Sequence, residues 1–186
     1  LLTVLSCQRV DELSIDLVRQ DSGVTASLRG LCAVSEKVAW ASGSNGTVLR
    51  TLNSGKTWEK IPVPGLEERD FRDVEAWDDK RAVIMAVGSP GLILKTEDGG
   101  KTWKTTYRNE SEGVFLDGMA FWDEPHGIVM GDPLNGSFLV LRTADSGSSW
   151  ERVAEDKLPD PLQGEAGFAA SGTNIAVSRP QNAWFG

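Results

Sequence analysis

The octapeptide Thr96-Glu-Asp-Gly-Gly-Lys-Thr-Trp103 decides the fold, because the chain repeats it twice more with few changes. The other two copies are Thr51-Leu-Asn-Ser-Gly-Lys-Thr-Trp58 and Thr143-Ala-Asp-Ser-Gly-Ser-Ser-Trp150. The closing tryptophans of the three copies are 45 and 47 residues apart. Fixed periods of about 40 to 50 residues, built from short strands and glycine turns, are typical of the four-stranded blades of β-propellers.

A second landmark keeps the same period. The turn pairs Asn45-Gly46, Pro90-Gly91 and Asn135-Gly136 precede the three octapeptides at intervals of 45 residues. Since such pairs close β-hairpins, the apolar runs around them predict four strands in each repeat. The blades span about residues 28–61, 71–107 and 116–153, and a fourth, incomplete blade covers 168–186. The predicted fold is therefore all-β, a β-propeller of four-stranded antiparallel blades with about three and a half blades present, preceded by a lead-in at 8–27.

Turn chemistry explains the composition of the octapeptide, which we place between the third and fourth strands of each blade. Its Asp or Asn accepts hydrogen bonds from backbone N–H groups, its glycine adopts a left-handed conformation, and its hydroxyl groups bond within the loop. The closing tryptophan packs between neighbouring sheets and stabilises them by a few kcal/mol. The residues with these structural roles are Asn53, Gly55, Thr57, Trp58, Asp98, Gly100, Thr102, Trp103, Asp145, Gly147, Ser149 and Trp150.

The repeated pattern Ser/Thr-x-Asp-x-Gly-x-Thr-Trp resembles the Asp-box, or BNR, repeat of sialidases, sortilin-like receptors and the photosystem II stability/assembly factor family. The runs Leu28-Arg-Gly-Leu and Ala39-Trp-Ala-Ser-Gly-Ser-Asn-Gly are most similar to exported bacterial relatives of that assembly factor. Phe71-Arg-Asp-Val, Ala120-Phe-Trp-Asp and Phe168-Ala-Ala-Ser-Gly-Thr match the same group. This resemblance, over about residues 28–186, implies a non-catalytic binding scaffold for the assembly or stability of a protein complex.

The composition excludes several classes of function. The chain is acidic, with a net charge of −8 and a pI near 4.7, whereas a nucleic-acid-binding surface is basic. Its one histidine, His126, excludes a multi-histidine metal site within these residues. There is no glycine-rich phosphate loop and no dinucleotide fingerprint. We therefore expect no nucleic acid, no metal ion and no cofactor, but a protein or peptide partner.

The first seven residues are typical of the end of an export signal. The run Leu1-Leu-Thr-Val-Leu-Ser-Cys7 resembles a bacterial lipoprotein cleavage box, which would lipidate Cys7. The alternative is a short buried strand with an ordinary thiol. The export interpretation predicts a periplasmic or membrane-anchored monomer that meets the membrane only through a lipid anchor. The second cysteine, Cys32, lies in an apolar run and is predicted to be a core residue.

Candidate binding residues lie on the first strands, because the innermost strand of each propeller blade lines the central channel. Alignment of the first strands puts Arg29, Arg72 and Asp117 in one column, with Asp73 directly after Arg72. Asp132 ends a second strand, so these charges are expected near one mouth of the channel. One interpretation is a set of structural ion pairs that neutralise buried charge. The other is a pocket in which the two arginines bind a carboxylate through paired hydrogen bonds.

Acidic loops follow the fourth strands and would lie at the same mouth. Segments 62–70, 108–115 and 154–167 contain nine acidic and three basic residues, and Glu165 is a further candidate for the mouth. Such a surface would attract a basic partner, although acidic loops also promote solubility. The acidic residues are Glu67, Glu68, Asp70, Glu110, Glu112, Glu155, Asp156, Asp160 and Glu165.

The alternative function is a sialidase-like glycoside hydrolase. The resemblance to sialidases implies an arginine triad, an acid/base aspartate and a tyrosine nucleophile. This chain offers Arg29 and Arg72 on first strands, and its one tyrosine, Tyr107, falls on a predicted outermost strand. No catalytic residue is therefore assigned, and this alternative would need catalytic residues outside the sequence.

Overall fold

The computed structural model describes residues 16–169, 172–179 and 182–186. Cys7 and the predicted signal segment lie outside the described residues. The described chain forms antiparallel β-sheets with two short 3-10 helices, Glu155–Lys157 and Gly172–Asn174. Within this part of the chain, no helix has both the length and the apolar character needed to cross a bilayer.

Three sheets have four strands each, and in every sheet the neighbouring strands follow one another along the chain. The first contains β1 (Leu28–Ala33), β2 (Ala39–Gly43), β3 (Thr47–Thr51) and β4 (Glu59–Lys60). The second contains β5 (Phe71–Ala76), β6 (Ala82–Ala86), β7 (Gly91–Thr96) and β8 (Lys104–Asn109). The third contains β9 (Leu116–Phe121), β10 (Gly127–Leu134), β11 (Ser137–Thr143) and β12 (Glu151–Arg152). A fourth sheet pairs β13 (Ile175–Ser178) with β14 (Asn182–Phe185).

Strand β6 shows how the apolar runs build the core. All five of its residues are buried, and alternate side chains face opposite sides of the sheet. Ile84 packs with Trp40 and Phe71 in the core between the first and second sheets. Met85 packs with Leu116 in the core between the second and third sheets. A strand that is covered on both faces must be apolar throughout, which explains the unbroken run Ala-Val-Ile-Met-Ala.

The predicted hairpin pairs set the register of the second and third strands. Asn45 and Gly46 have φ of 56° and 59°, and Asn135 and Gly136 have φ of 57° and 88°. Two successive left-handed residues define the type I′ turn, which Asn-Gly adopts readily and which matches strand twist. The β10–β11 pairing accordingly runs from Leu134 opposite Ser137 back to Gly127 opposite Thr143.

The structure confirms an all-β chain of four-stranded antiparallel sheets that is consistent with part of a β-propeller. The sequence places the start of the incomplete fourth blade at Phe168, whereas the first strand described in this part of the chain is β13, which starts at Ile175. Phe168 is exposed, and the carbonyl of Ala169 accepts a hydrogen bond from Arg72. This segment therefore bonds to the second sheet, and the strand of the fourth sheet starts only after the 3-10 helix.

Adjacent sheets meet along their first strands, with β1 against β5, β5 against β9 and β9 against β13. The Asp73 side chain joins the second and third sheets, because its Oδ2 accepts the backbone N–H of Met119 at 2.9 Å. Between the first and second sheets, a Cβ on Gly30 would lie 2.7 Å from the backbone nitrogen of Val74. Only glycine allows β1 to approach β5 this closely.

Candidate functional site

Each first strand carries one extra residue at the same place. The pairing with the second strand skips Arg29 in β1, Arg72 in β5 and Asp117 in β9. These are β-bulges, which interrupt the ladder and re-aim the side chain of the extra residue. The column predicted from the alignment is thus a column of bulges, at the end of each sheet that holds the hairpin between the second and third strands. We call this end the mouth.

Arg72 contacts three neighbours at the mouth. Its Nε donates to Asp70 Oδ2 at 3.0 Å, and its Nη1 donates to the carbonyl of Ala169. Its guanidinium carbon lies 5.7 Å from the centre of the Phe115 ring, within the range of a cation–π contact. The guanidinium is half-buried and held in place on three sides. Such a rigid group can bind a second anion with little loss of entropy.

Strand β5 also carries two acidic residues, Asp73 and Glu75. Asp73 is buried, and burial raises its pKa to about 6 although two backbone N–H groups bond to it. Burial, followed by repulsion from Asp73, raises the pKa of Glu75 to about 7. The Cys32 thiol of β1 lies 3.7 Å from Glu75 Oε2. Both pKa values rise mainly because burial removes water from the charged carboxylates. Asp73 has a structural role, because it accepts the backbone N–H of Met119.

Asp117 has the most unusual environment of the candidate residues. It is 1% exposed, and no N–H or hydroxyl group donates to either of its carboxylate oxygens. Burial raises the pKa of Asp117 to about 7, helped by repulsion from the neighbouring Asp132 carboxylate and by a hydrogen bond between the two carboxyl groups, while Arg72 acts in the opposite direction. Asp132 lies nearby in β10, and its Oδ1 accepts the backbone N–H of Gly167 at 2.8 Å.

A loop segment covers this acid pair. A Cβ on Gly167 would lie 2.6 Å from the Asp117 carboxyl carbon, so the loop backbone rests directly on the carboxylate. We call residues 162–169 the strap. Its contacts with the mouth include the bonds from Gly167 to Asp132 and from Arg72 to Ala169. Leu162 and Phe168 of the strap are each 76% exposed.

The two remaining candidates are Arg29 and Glu165. Arg29 is half-buried on β1. Glu165 accepts the N–H of Leu162 at 2.7 Å and donates its own N–H to the Leu162 carbonyl, so its carboxylate closes a turn of the strap. Glu165 therefore contacts its own loop, whereas Arg72, Asp117 and Asp132 come together.

Sequence reasoning missed three partners of Arg72, namely its bond to Asp70, its contact with Phe115 and its bond to the Ala169 carbonyl. Asp70 was counted with the acidic loops, yet it is half-buried whereas the other eight loop acids are exposed. Its position two residues before Arg72 was a usable signal, because residues i and i+2 of an extended segment lie on the same side. No sequence signal marks a backbone carbonyl.

The three octapeptides form one hydrogen-bonded turn between the third and fourth strands, at the end of each sheet opposite the mouth. In the second sheet, Thr96 Oγ1 accepts the N–H of Gly100 at 2.8 Å, and Asp98 Oδ1 accepts the N–H of Thr102 at 2.9 Å. The Thr102 hydroxyl also donates to Asp98 Oδ2, and this bond lowers the pKa of Asp98 to about 2. The two bonds from backbone N–H groups recur in the other turns, whereas in the first turn Asn53 Nδ2 donates to the Thr57 hydroxyl; the residues are Thr51, Gly55, Asn53, Thr57, Thr143, Gly147, Asp145 and Ser149.

The closing tryptophans are half-buried beside these turns. Trp103 packs against the core between the first and second sheets, and Trp150 packs against the core between the second and third. Trp58 donates its indole N–H to Gln20 Oε1 at 3.3 Å, a residue of the segment before β1.

Neither end of the sheets has the features of a metal site or of the hydrolase alternative. No group of three or more metal-ligating side chains occurs within residues 16–169, 172–179 and 182–186. Tyr107 lies on β8, the fourth strand of its sheet, where its hydroxyl bonds to the Asn109 side chain at 3.1 Å. The tyrosine is thus on the strand farthest from β5, which carries Arg72.

Comparison with known proteins gives a consistent picture of the fold. Residues 63–176 match the family model described as "Photosynthesis system II assembly factor YCF48". The solved structure of YCF48 bound to D1 peptide is 20% identical, with a TM-score of 0.56, and the match covers 70% of this chain and 40% of that one. The structure of YCF48 from Cyanidioschyzon merolae is also 20% identical, with a TM-score of 0.52 and the same two coverages.

An ancestral GH74 enzyme is 12% identical, with a TM-score of 0.51, over 68% of this chain and 18% of its own length. At these identities, the structural matches establish a shared fold alone. No curated protein matches the sequence significantly. The chain spans 40% of the length of each of the two YCF48 structures.

Proposed function

The chain belongs to the family of the photosystem II assembly factor YCF48, and on that premise we propose that it is a non-catalytic scaffold that binds a peptide segment of a partner protein. Its role would be the assembly or stabilisation of a protein complex. A family structure bound to D1 peptide supports a peptide or protein as the ligand.

The observation that carries this proposal is the Arg72 guanidinium at the mouth. A bulge presents it, and Asp70, Phe115 and the Ala169 carbonyl hold it in position. A carboxylate of the partner would bind to the guanidinium through charge-assisted hydrogen bonds. Arg29, at the equivalent bulge of β1, would supply the second cation.

Several finer features belong to the same proposal. We infer that the three octapeptide turns are Asp boxes and that the chain contributes about three and a half blades to a propeller. The protein would be exported, periplasmic or anchored to the membrane by a lipid on Cys7, and monomeric. Its exposed acidic loops would draw a basic partner surface towards the mouth.

The test compares Arg72→Ala and Arg72→Lys with Arg108→Ala in binding to a library of peptides with free carboxyl termini. Arg108 is the matched control, because it is exposed near the end of β8 and pairs with Glu110 at 2.8 Å. We expect peptides to bind the unchanged protein, with a loss of about tenfold or more in affinity for Arg72→Ala and a partial recovery for Arg72→Lys. Arg108→Ala should bind as the unchanged protein does.

Equal losses for Arg72→Ala and Arg108→Ala would show that net charge, and not the mouth, binds the peptides. Hydrolysis of a fluorogenic sialoside that is abolished by Arg29→Ala would refute a purely binding function and favour the hydrolase alternative.

A further inference from the structure

The acid pair at the mouth has more negative charge than its surroundings neutralise. Asp117 and Asp132 lie side by side, and Arg72 is the cation that acts on Asp117. The Arg72 guanidinium already donates to Asp70 and Ala169, and no N–H or hydroxyl group donates to the Asp117 oxygens. A buried carboxylate without donors is costly, because it loses its hydration and gains nothing in return.

We propose that Asp117 and Asp132 form a binding site for one protonated nitrogen group, the side chain of a lysine or arginine in the bound peptide. The inference rests on the proposed function, because the same mouth would hold a carboxylate at Arg72 and a basic side chain at the acid pair. The favoured ligand is then a peptide segment that carries both charges close together.

The chemistry of the site favours an organic cation. An ammonium or guanidinium group donates several hydrogen bonds, which suits two neighbouring carboxyl groups of which Asp117 receives no N–H donor. Two carboxylates are too few for the oxygen cage of a calcium ion.

The strap controls access to the acid pair. The two exposed apolar side chains of the strap contribute little to the core, and the strap meets the mouth through the backbone of Gly167 and the carbonyl of Ala169. A segment held in this way opens at low cost. The entering cation would replace the Gly167 backbone against Asp117, and Asp132 would exchange its N–H donor for the ligand.

Binding should depend on pH in a defined direction. The charged groups that act on Asp117 are Asp132 of β10 and Arg72 of β5, whereas β6 and β13 carry no charged residue. Since the Asp117 pKa is about 7, the site gains charge between pH 6 and pH 8. A lysine ligand stays protonated over this range. Affinity for a lysine peptide should therefore rise across it.

The test measures binding of tetralysine with both ends blocked, so that the probe has no carboxylate for Arg72. The variants are Asp117→Asn and Asp132→Asn, and the control is Glu112→Gln, which removes one charge from an exposed loop. We expect each Asn variant to weaken binding about tenfold or more at pH 8 and to flatten the pH dependence. Glu112→Gln should change the affinity less than twofold, and a tetra-acetyllysine probe should not bind.

Thermal unfolding of each variant verifies that it is folded, and Asn keeps the shape of Asp at both positions. Equal affinities of the unchanged protein and Asp117→Asn for tetralysine would overturn the inference. If library peptides still bound in an Arg72-dependent way, the proposed function would survive that result. If neither tetralysine nor any library peptide bound, both proposals would fail.

Discussion

The two ends of the sheets are built in contrasting ways. At the end with the octapeptide turns, equivalent positions hold the same kinds of residue, and Thr96, Asp98 and Thr102 satisfy one another with short hydrogen bonds. At the mouth, equivalent bulges hold Arg29, Arg72 and Asp117, and no N–H or hydroxyl group donates to the Asp117 oxygens. Residues that recur in every sheet and have all their hydrogen bonds made serve the folding of each sheet. Residues that differ from sheet to sheet and lack hydrogen-bond donors are available to bind a ligand.

The largest expected effect tests the turn end through Gly100→Ala. Gly100 has a φ of 80°, and a Cβ there would lie 2.1 Å from Ile61 Cγ2. Backbone strain and the clash together should lower the free energy of unfolding by about 3 kcal/mol or more. The control is Gly113→Ala, because Gly113 has a φ of 78° with open space around it, so that strain alone should cost about 1 kcal/mol. Urea unfolding measures both values, and similar losses would show that the turn is not tightly packed.

The second largest effect is expected at the mouth, where the substitution should raise the free energy of unfolding instead of lowering it. A carboxyl whose pKa is raised on folding loses stability as pH rises, so the Asp117 contribution falls between about pH 4 and pH 7. Asp117→Asn should therefore stabilise the protein by roughly 2 kcal/mol at pH 8 and have little effect at pH 4. Thermal unfolding at the two pH values checks this. A destabilised variant at pH 8 would mean that Asp117 has a structural partner and would remove the contrast between the two ends.

The smallest change in stability is expected for a substitution of Asp98, in the octapeptide turn of the second sheet. Its pKa of about 2 means that the folded state favours the ionised carboxyl, so its stabilising effect is present above about pH 4 and is lost as pH falls towards 2. Asp98→Asn should make stability less sensitive to acid in that window, with a modest loss at pH 7. The first turn already has Asn53 at the equivalent position, where its Oδ1 accepts the Thr57 N–H at 3.0 Å. Unfolding curves at pH 2.5 and pH 7 would detect the difference, and parallel losses would contradict it.

Sequence reasoning predicted the repeats well because they depend on local rules. The Asn-Gly pairs have positive φ at both residues, and the alternation in β6 follows from burial on both faces. The alignment also placed Arg29, Arg72 and Asp117 at one position, which the structure shows to be a bulge in each first strand. That each was an extra residue depended on pairing across strands, which residue types alone do not determine.

The rest depended on contacts between distant segments. The bond from Arg72 to the Ala169 carbonyl spans 97 residues, and no side-chain pattern announces a backbone acceptor. Phe168, where the sequence predicts the start of the fourth blade, is an exposed residue of the strap next to this contact. The isolation of Asp117 from donors likewise arises from the surrounding packing, which a linear pattern does not contain.

Cys32 offers a built-in reporter on the seam between the first two sheets. Its sulfur accepts the Ala76 N–H at 3.3 Å, and burial raises the pKa of the thiol to about 12. The nucleophilic thiolate is therefore scarce at neutral pH while β1 and β5 remain in contact. If β1 separated from β5, the pKa of the thiol would return to its ordinary value. The rate of alkylation at Cys32 would therefore report how often these two strands separate while the rest of the molecule stays folded.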